Sequence, residues 1–130
     1  MDKRKPNVIA VDTAEKESTL TLHITGDITD FKGHFKSFPI LPGVTQIDWA
    51  LHYAVQELSV PGFFKGMEVI KFQEPILPNS TIQLSLKWDA DKDKLSFSYT
   101  SNNGEQTHSS GKMKLGCLLY TSDAADDDAC

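Results

Sequence analysis

Cysteine is almost missing from this chain, with two residues in 130, Cys117 and Cys130, both at its far end. Residues 1–116 therefore have no thiol for a disulfide framework or a thiolate metal site. Basic charge is also short: 13 Lys and Arg face 18 Asp and Glu, giving a formal net charge of −5. Such a balance provides no field for a phosphate backbone, so nucleic acid is not an expected partner. Long apolar runs are lacking too. None approaches the roughly 18 residues that cross a bilayer, and Met1 to Pro6 leads into only Val8 to Val11 before Asp12. Neither membrane insertion nor a secretory leader is expected, and the cytoplasm is the default location. The length suits a single domain, since compact domains most often hold about 100–150 residues.

The acids are unevenly spread. Asp123, Asp126, Asp127 and Asp128 fall in the last stretch, and residues 1–116 carry 14 acids against 13 bases. The string Cys117-Leu118-Leu119-Tyr120-Thr121-Ser122-Asp123-Ala124-Ala125-Asp126 resembles one reading frame of the transposase adapter used in short-read library preparation. That resemblance implies a domain over 1–116 followed by a non-native, disordered tail over 117–130 from which no function is read; composition alone also allows a genuine acidic, disordered C-terminus.

Periodicity divides the rest. Asn7 to Val11 is a short apolar run, and Leu20, Leu22 and Ile24 alternate with polar residues as a half-buried strand does. Phe31 to Gly43 is rich in Gly, Pro and aromatics, and Pro39 and Pro42 exclude helix or central strand there. From Val44 the apolar positions Val44, Ile47, Leu51, Ala54, Val55 and Leu58 have helical spacing, which predicts a helix buried along that stripe and stopped by Ser59-Val60-Pro61-Gly62. Met67 to Phe72, Ile82 to Trp88, Leu95 to Tyr99 and Gly111 to Leu115 read as strands. Polar links join them at Asp89 to Lys94 and Asn102-Asn103-Gly104. One helix and about six meandering strands point to an α+β architecture, an antiparallel sheet curled around one long central helix.

Chemistry concentrates between His34 and Ala50. Asp48 lies four residues after Val44 and three before Leu51, so it belongs to the expected apolar stripe. A carboxyl buried there is costly unless paired, and is suited to giving or taking a proton. Pro42-Gly43 stands directly before the helix, whose first N–H groups are free and backed by the positive end of the dipole, an oxyanion hole in waiting. His34 sits on the Pro-rich loop, and an imidazole titrating near neutrality suits proton abstraction. Taken singly, each feature has an ordinary explanation: a surface histidine, an Asp paired with His52, and common helix punctuation.

Together, His34-Phe35-Lys36-Ser37-Phe38-Pro39-Ile40-Leu41-Pro42-Gly43-Val44 with an acid at Asp48 resembles the signature of the β-hydroxyacyl-acyl-carrier-protein dehydratases, the FabA/FabZ group with the hotdog fold. Ile70 to Pro78 is similar to the strand and turn after that family's helix, so the resemblance covers most of residues 8–115. Gln46-Ile47-Asp48-Trp49-Ala50 resembles the ApeI-like branch, associated with aryl polyene lipids. The acid is Glu in the FabZ type and Asp in the FabA type. Asp48 therefore departs from the FabZ type within otherwise FabZ-like wording, and isomerisation of the double bond stays open.

The resemblance implies His34 and Asp48 as catalytic groups, the Gly43 N–H as oxyanion donor, and a dimer or higher even oligomer with His34 of one protomer facing Asp48 of the other. It also implies a cis bond between His34 and Phe35. The implied reaction removes water from a 3-hydroxyacyl thioester on an acyl carrier protein, giving a trans-2-enoyl thioester. No cofactor or metal is expected, and His23, His34, His52 and His108 lack zinc-like spacing. Phe35, Phe38, Ile40, Leu41, Pro42, Val44 and Trp49 are candidates to line the acyl tunnel, as are Tyr53, Phe63 and Phe64, though most could equally be core or dimer packing. Lys32, Lys36, Lys65 and Lys71 are candidates to meet an acidic carrier. The alternatives are a hotdog thioesterase, told apart by a hydrolysis assay, and a non-catalytic acyl-thioester binding subunit indifferent to loss of His34.

Overall fold

The computed structural model describes residues 4–28 and 40–116. His34, Phe35, Phe38, the bond between His34 and Phe35, Lys32, Lys36 and the tail after Gly116 lie outside the described residues. Among the described residues, six strands and one helix follow in the order β1 (Asn7–Thr13), β2 (Glu17–Ile24), α1 (Gly43–Leu58), β3 (Phe63–Phe72), β4 (Ser80–Asp89), β5 (Lys94–Ser101) and β6 (Gln106–Gly116). The strands form one sheet in the order β1-β2-β4-β5-β6-β3, every pairing antiparallel. No helix among the described residues is long and apolar enough to cross a membrane.

Alternation sets the register. Leu20, Leu22 and Ile24 of β2, Ile82, Leu84 and Leu86 of β4, Leu95, Phe97 and Tyr99 of β5, and Met113 and Leu115 of β6 are all buried. A slip of one residue would send each of these sets to the solvent face. Full burial of one such aliphatic side chain contributes about 1.5–3 kcal/mol, so register is strongly specified. One cross-strand row, Leu20, Leu84, Tyr99, Ser109 and Phe72, runs through five strands. It matters below because its last three members meet the start of α1.

The hairpin links are where their polar residues suggest, with Asp93, Asn102 and Asn103 at positive φ and Gly104 at φ 89°. β3 begins at Phe63 rather than Met67 because it keeps pairing with β6 back to Gly116, and the register shifts along this pair blur its two-residue period.

The helix face differs from the sequence expectation. Thr45, Gln46, Trp49, Ala50, Tyr53 and Ala54 are the buried positions of α1. Val44 is 74% exposed, Val55 is also exposed, and Asp48 is exposed rather than packed. Of the expected stripe, Ala54 is buried and Ile47, Leu51 and Leu58 pack partly against the core, whereas Val44 and Val55 face away from it. The core stripe is headed by polar Gln46 and continued by Trp49, Ala50, Tyr53 and Ala54, at spacings i+3, i+4, i+7 and i+8.

Candidate active site

The beginning of α1 has no side-chain cap: Pro42 holds the N-cap with φ −61° and ψ 148°, and the first turn contains no acid. The Pro42 carbonyl accepts the N–H groups of Thr45 (3.1 Å) and Gln46 (3.2 Å). Among the described residues, no backbone carbonyl accepts the N–H groups of Gly43 and Val44. Two donors at the positive end of a 16-residue helix can receive a carbonyl or developing oxyanion.

Gly43 is also needed for space. A Cβ there would stand 2.5 Å from Cζ of Phe72, so the ring lies against the glycine where β3 ends. Asp48 is one and a half turns further on, on the outward side with Val44, His52 and Val55. Its charge reaches the sheet. Tyr99 is wholly buried, and its phenol is pushed well above the usual 10.0, first by loss of solvation and then by the neighbouring Tyr53 and the Asp48 carboxylate.

Behind the first turn lies a set of buried polar contacts that sequence reasoning missed. The Tyr99 hydroxyl donates to the Gln46 carbonyl oxygen at 2.6 Å. Ser109 Oγ donates to Gln46 Oε1 at 2.6 Å, and Gln46 Nε2 donates to the Leu41 carbonyl oxygen at 3.1 Å. The Leu41 N–H in turn donates to the Ile76 carbonyl oxygen at 2.9 Å. The available signal was a glutamine at the head of the stripe Trp49, Ala50, Tyr53 and Ala54, since a buried amide calls for partners.

Of the residues proposed to touch an acyl chain, Ile40 and Pro42 are half-buried, Leu41 and Trp49 are buried in the core, and Val44 is exposed. Trp49 Nε1 donates to the Arg4 carbonyl oxygen at 2.9 Å, which pins the N-terminal segment to the helix. Tyr53 is buried, while Phe63 and Phe64 are exposed on β3 beside Lys65, with Lys71 exposed further along the same strand.

The three described histidines have structural partners. His23 Nδ1 lies 3.1 Å from Thr81 Oγ1, and His52 meets Tyr53 edge-on at 4.8 Å. His108 Nδ1 is 3.1 Å from the Glu74 carbonyl oxygen, and its Nε2 is 2.9 Å from Ser101 Oγ.

Comparison with known proteins agrees with this framework. A family model described as "ApeI-like: ApeI dehydratase" matches residues 10–112. A 3-hydroxyacyl-[acyl-carrier-protein] dehydratase FabZ of Roseiflexus castenholzii is 36% identical over 66 residues, 45% of this chain and 46% of the relative. The chain thus spans about half the length of the curated relatives it matches. A solved chain of the dehydratase heterocomplex ApeI:P from Xenorhabdus doucetiae is 41% identical, with a TM-score of 0.77 over 85% of this chain and 96% of that one. An uncharacterised protein of Erwinia carotovora subsp. atroseptica is 40% identical, with a TM-score of 0.71 over 91% and 98%. The chain belongs to the ApeI-like dehydratase family, within the FabA/FabZ-like group of hotdog proteins.

Proposed function

We propose that this chain is a dehydratase that removes water from a 3-hydroxyacyl thioester held on an acyl carrier protein. The observation that carries the reading is the start of α1 in a dehydratase-family framework: among the described residues the Gly43 and Val44 amides have no backbone acceptor, and Asp48 stands on the outward side of the same helix. In the proposed step the thioester carbonyl accepts from the Gly43 N–H, which makes the α-carbon more acidic. His34 takes the α-proton, the C–O bond at the β-carbon breaks, and Asp48 supplies the proton that leaves with the hydroxyl as water. Phe35, Phe38, Ile40, Leu41, Pro42, Val44 and Trp49 would border the acyl chain. The ApeI-like framework favours a conjugated or aryl-ended chain of the aryl polyene type.

The outward position of Asp48 supports a dimer. An apolar helix side with Val44 and Val55 exposed, together with Phe63, Phe64, Val69 and Phe72 exposed on edge strand β3, suits cover by a second protomer. The carboxyl would then be enclosed and met by the partner's imidazole, with each sheet wrapped around its helix as in hotdog dimers. The similar Xenorhabdus protein is named as part of a heterocomplex, and this favours a second reading of the assembly in which the cover is a related dehydratase subunit.

The test is incubation with 3-hydroxyacyl carrier proteins of graded chain length, followed by mass spectrometry. Loss of one water per acyl chain is expected, with His34→Ala and Asp48→Asn each lowering the rate by about 10²-fold or more. Release of free acid would identify a thioesterase. Binding without turnover, unchanged by His34→Ala, would identify a non-catalytic subunit.

A further inference from the structure

We propose that Gln46 is a positioning residue which sets the Gly43 amide by clamping the Leu41 carbonyl to the sheet; this rests on the dehydration reading above. The orientation of the Gln46 amide is fixed by its partners. A carbonyl oxygen can only accept, so Nε2 must face Leu41, and Oε1 is left to receive the Ser109 hydroxyl proton. Leu41 is held from both sides, its N–H by Ile76 and its carbonyl by Gln46. Pro42 follows with a restricted φ, so little freedom remains in the two peptide planes that carry Gly43 into the helix.

The clamp is anchored in the buried interior. Gln46 and Ser109 are buried, Tyr99 is wholly buried, and Tyr99 and Ser109 are neighbours in the cross-strand row that ends at Phe72. The sheet thus meets the helix start at three places: Tyr99 on the Gln46 carbonyl, Ser109 on the Gln46 side chain, and the Phe72 ring against Gly43. Of these three contacts, the one through the Gln46 side chain is the one that continues to the loop in front of the oxyanion donor. A donor that must meet an oxyanion rather than a ground-state carbonyl is sensitive to small displacement, so loss of the clamp should appear in turnover rather than in binding.

Gln46→Met keeps the volume and removes both side-chain hydrogen bonds. Ser101→Ala serves as control, removing a part-buried side-chain bond to His108 that does not involve the helix. The expected result is a kcat lowered by about 10- to 100-fold in Gln46→Met with KM within about twofold, against a kcat close to wild type in Ser101→Ala. The carbonyl stretch of a bound trans-2-enoyl thioester, shifted to low frequency in the wild type, should move back toward its free value in Gln46→Met only. Equal kcat and an unmoved stretch in Gln46→Met would overturn the proposal, as would an equal kcat loss in both variants.

If Gln46→Met does not fold, Ser109→Ala carries the same test, with lowered kcat at constant KM in support and unaltered kcat against. A wild-type chain that does not dehydrate would refute the parent reading instead. The Gly43 amide resonance, recorded without substrate, would still decide the clamp: displaced in Gln46→Met if it holds, unmoved if it does not.

Discussion

Two glycines show how the same missing Cβ has different consequences. At Gly111 an added methyl would stand 2.7 Å from the Val69 carbonyl oxygen and 2.8 Å from Cε2 of Phe97, one atom belonging to the paired strand's backbone and the other to a buried ring. The carbonyl cannot yield without disturbing the β3–β6 pairing, nor the ring without repacking the core, so Gly111→Ala should lower stability by about 1–3 kcal/mol, read from urea unfolding. At Gly43 the obstructing atoms belong to Phe72, whose side chain is half-exposed and can swing into solvent. Gly43→Ala should therefore cost less, and Phe72→Ala should relieve part of that cost in a double-mutant cycle. Additive effects would show that the ring does not oppose a side chain at this position. The glycine before the helix was legible as a site for close approach, but the ring that approaches it comes from a strand almost thirty positions away.

The helix and strands were read from sequence with different success, for a physical reason. Alternation in β2, β4 and β5 survives intact because one face of each strand meets the core and the other meets water. Helix α1 has no such contrast, since Val44 and Val55 are as apolar as Trp49, Ala50 and Tyr53, and hydropathy alone does not say which positions face its own sheet. Polar Gln46 among the inward positions deepened the ambiguity. The outward valines then need an explanation of their own. Edge strand β3 also exposes Phe63, Phe64 and Val69, and an apolar sheet edge is a template for pairing with another chain. If a second protomer covers this surface, Val69→Glu should change monomer stability by less than about 0.5 kcal/mol yet shift the assembly toward monomer in sedimentation velocity. An unshifted assembly would move the interface elsewhere.

Across the whole molecule, the resemblance in the string from His34 to Asp48 indicated family and fold together, whereas the internal wiring of the site depends on residues that share no motif. Tyr99 and Ser109 come from two strands and Gln46 from the helix, and only the three-dimensional register brings their polar atoms together. The same burial makes stability depend on alkaline pH. Tyr53 is pushed up from 10.0 to about 12 by loss of solvation, and Tyr99 is raised for the same chief reason. Between those values the unfolded chain has given up phenolic protons that the folded chain still holds, so unfolding releases protons and rising pH favours it. Stability should be undiminished by these groups below about pH 10 and fall as pH climbs toward 12. Urea midpoints measured over that window should show the decline, and Tyr53→Phe should make it shallower. A decline of equal slope in Tyr53→Phe would mean that this phenol is solvated in the folded protein, and that the helix side facing the sheet is less tightly closed than the burial of Tyr53 indicates.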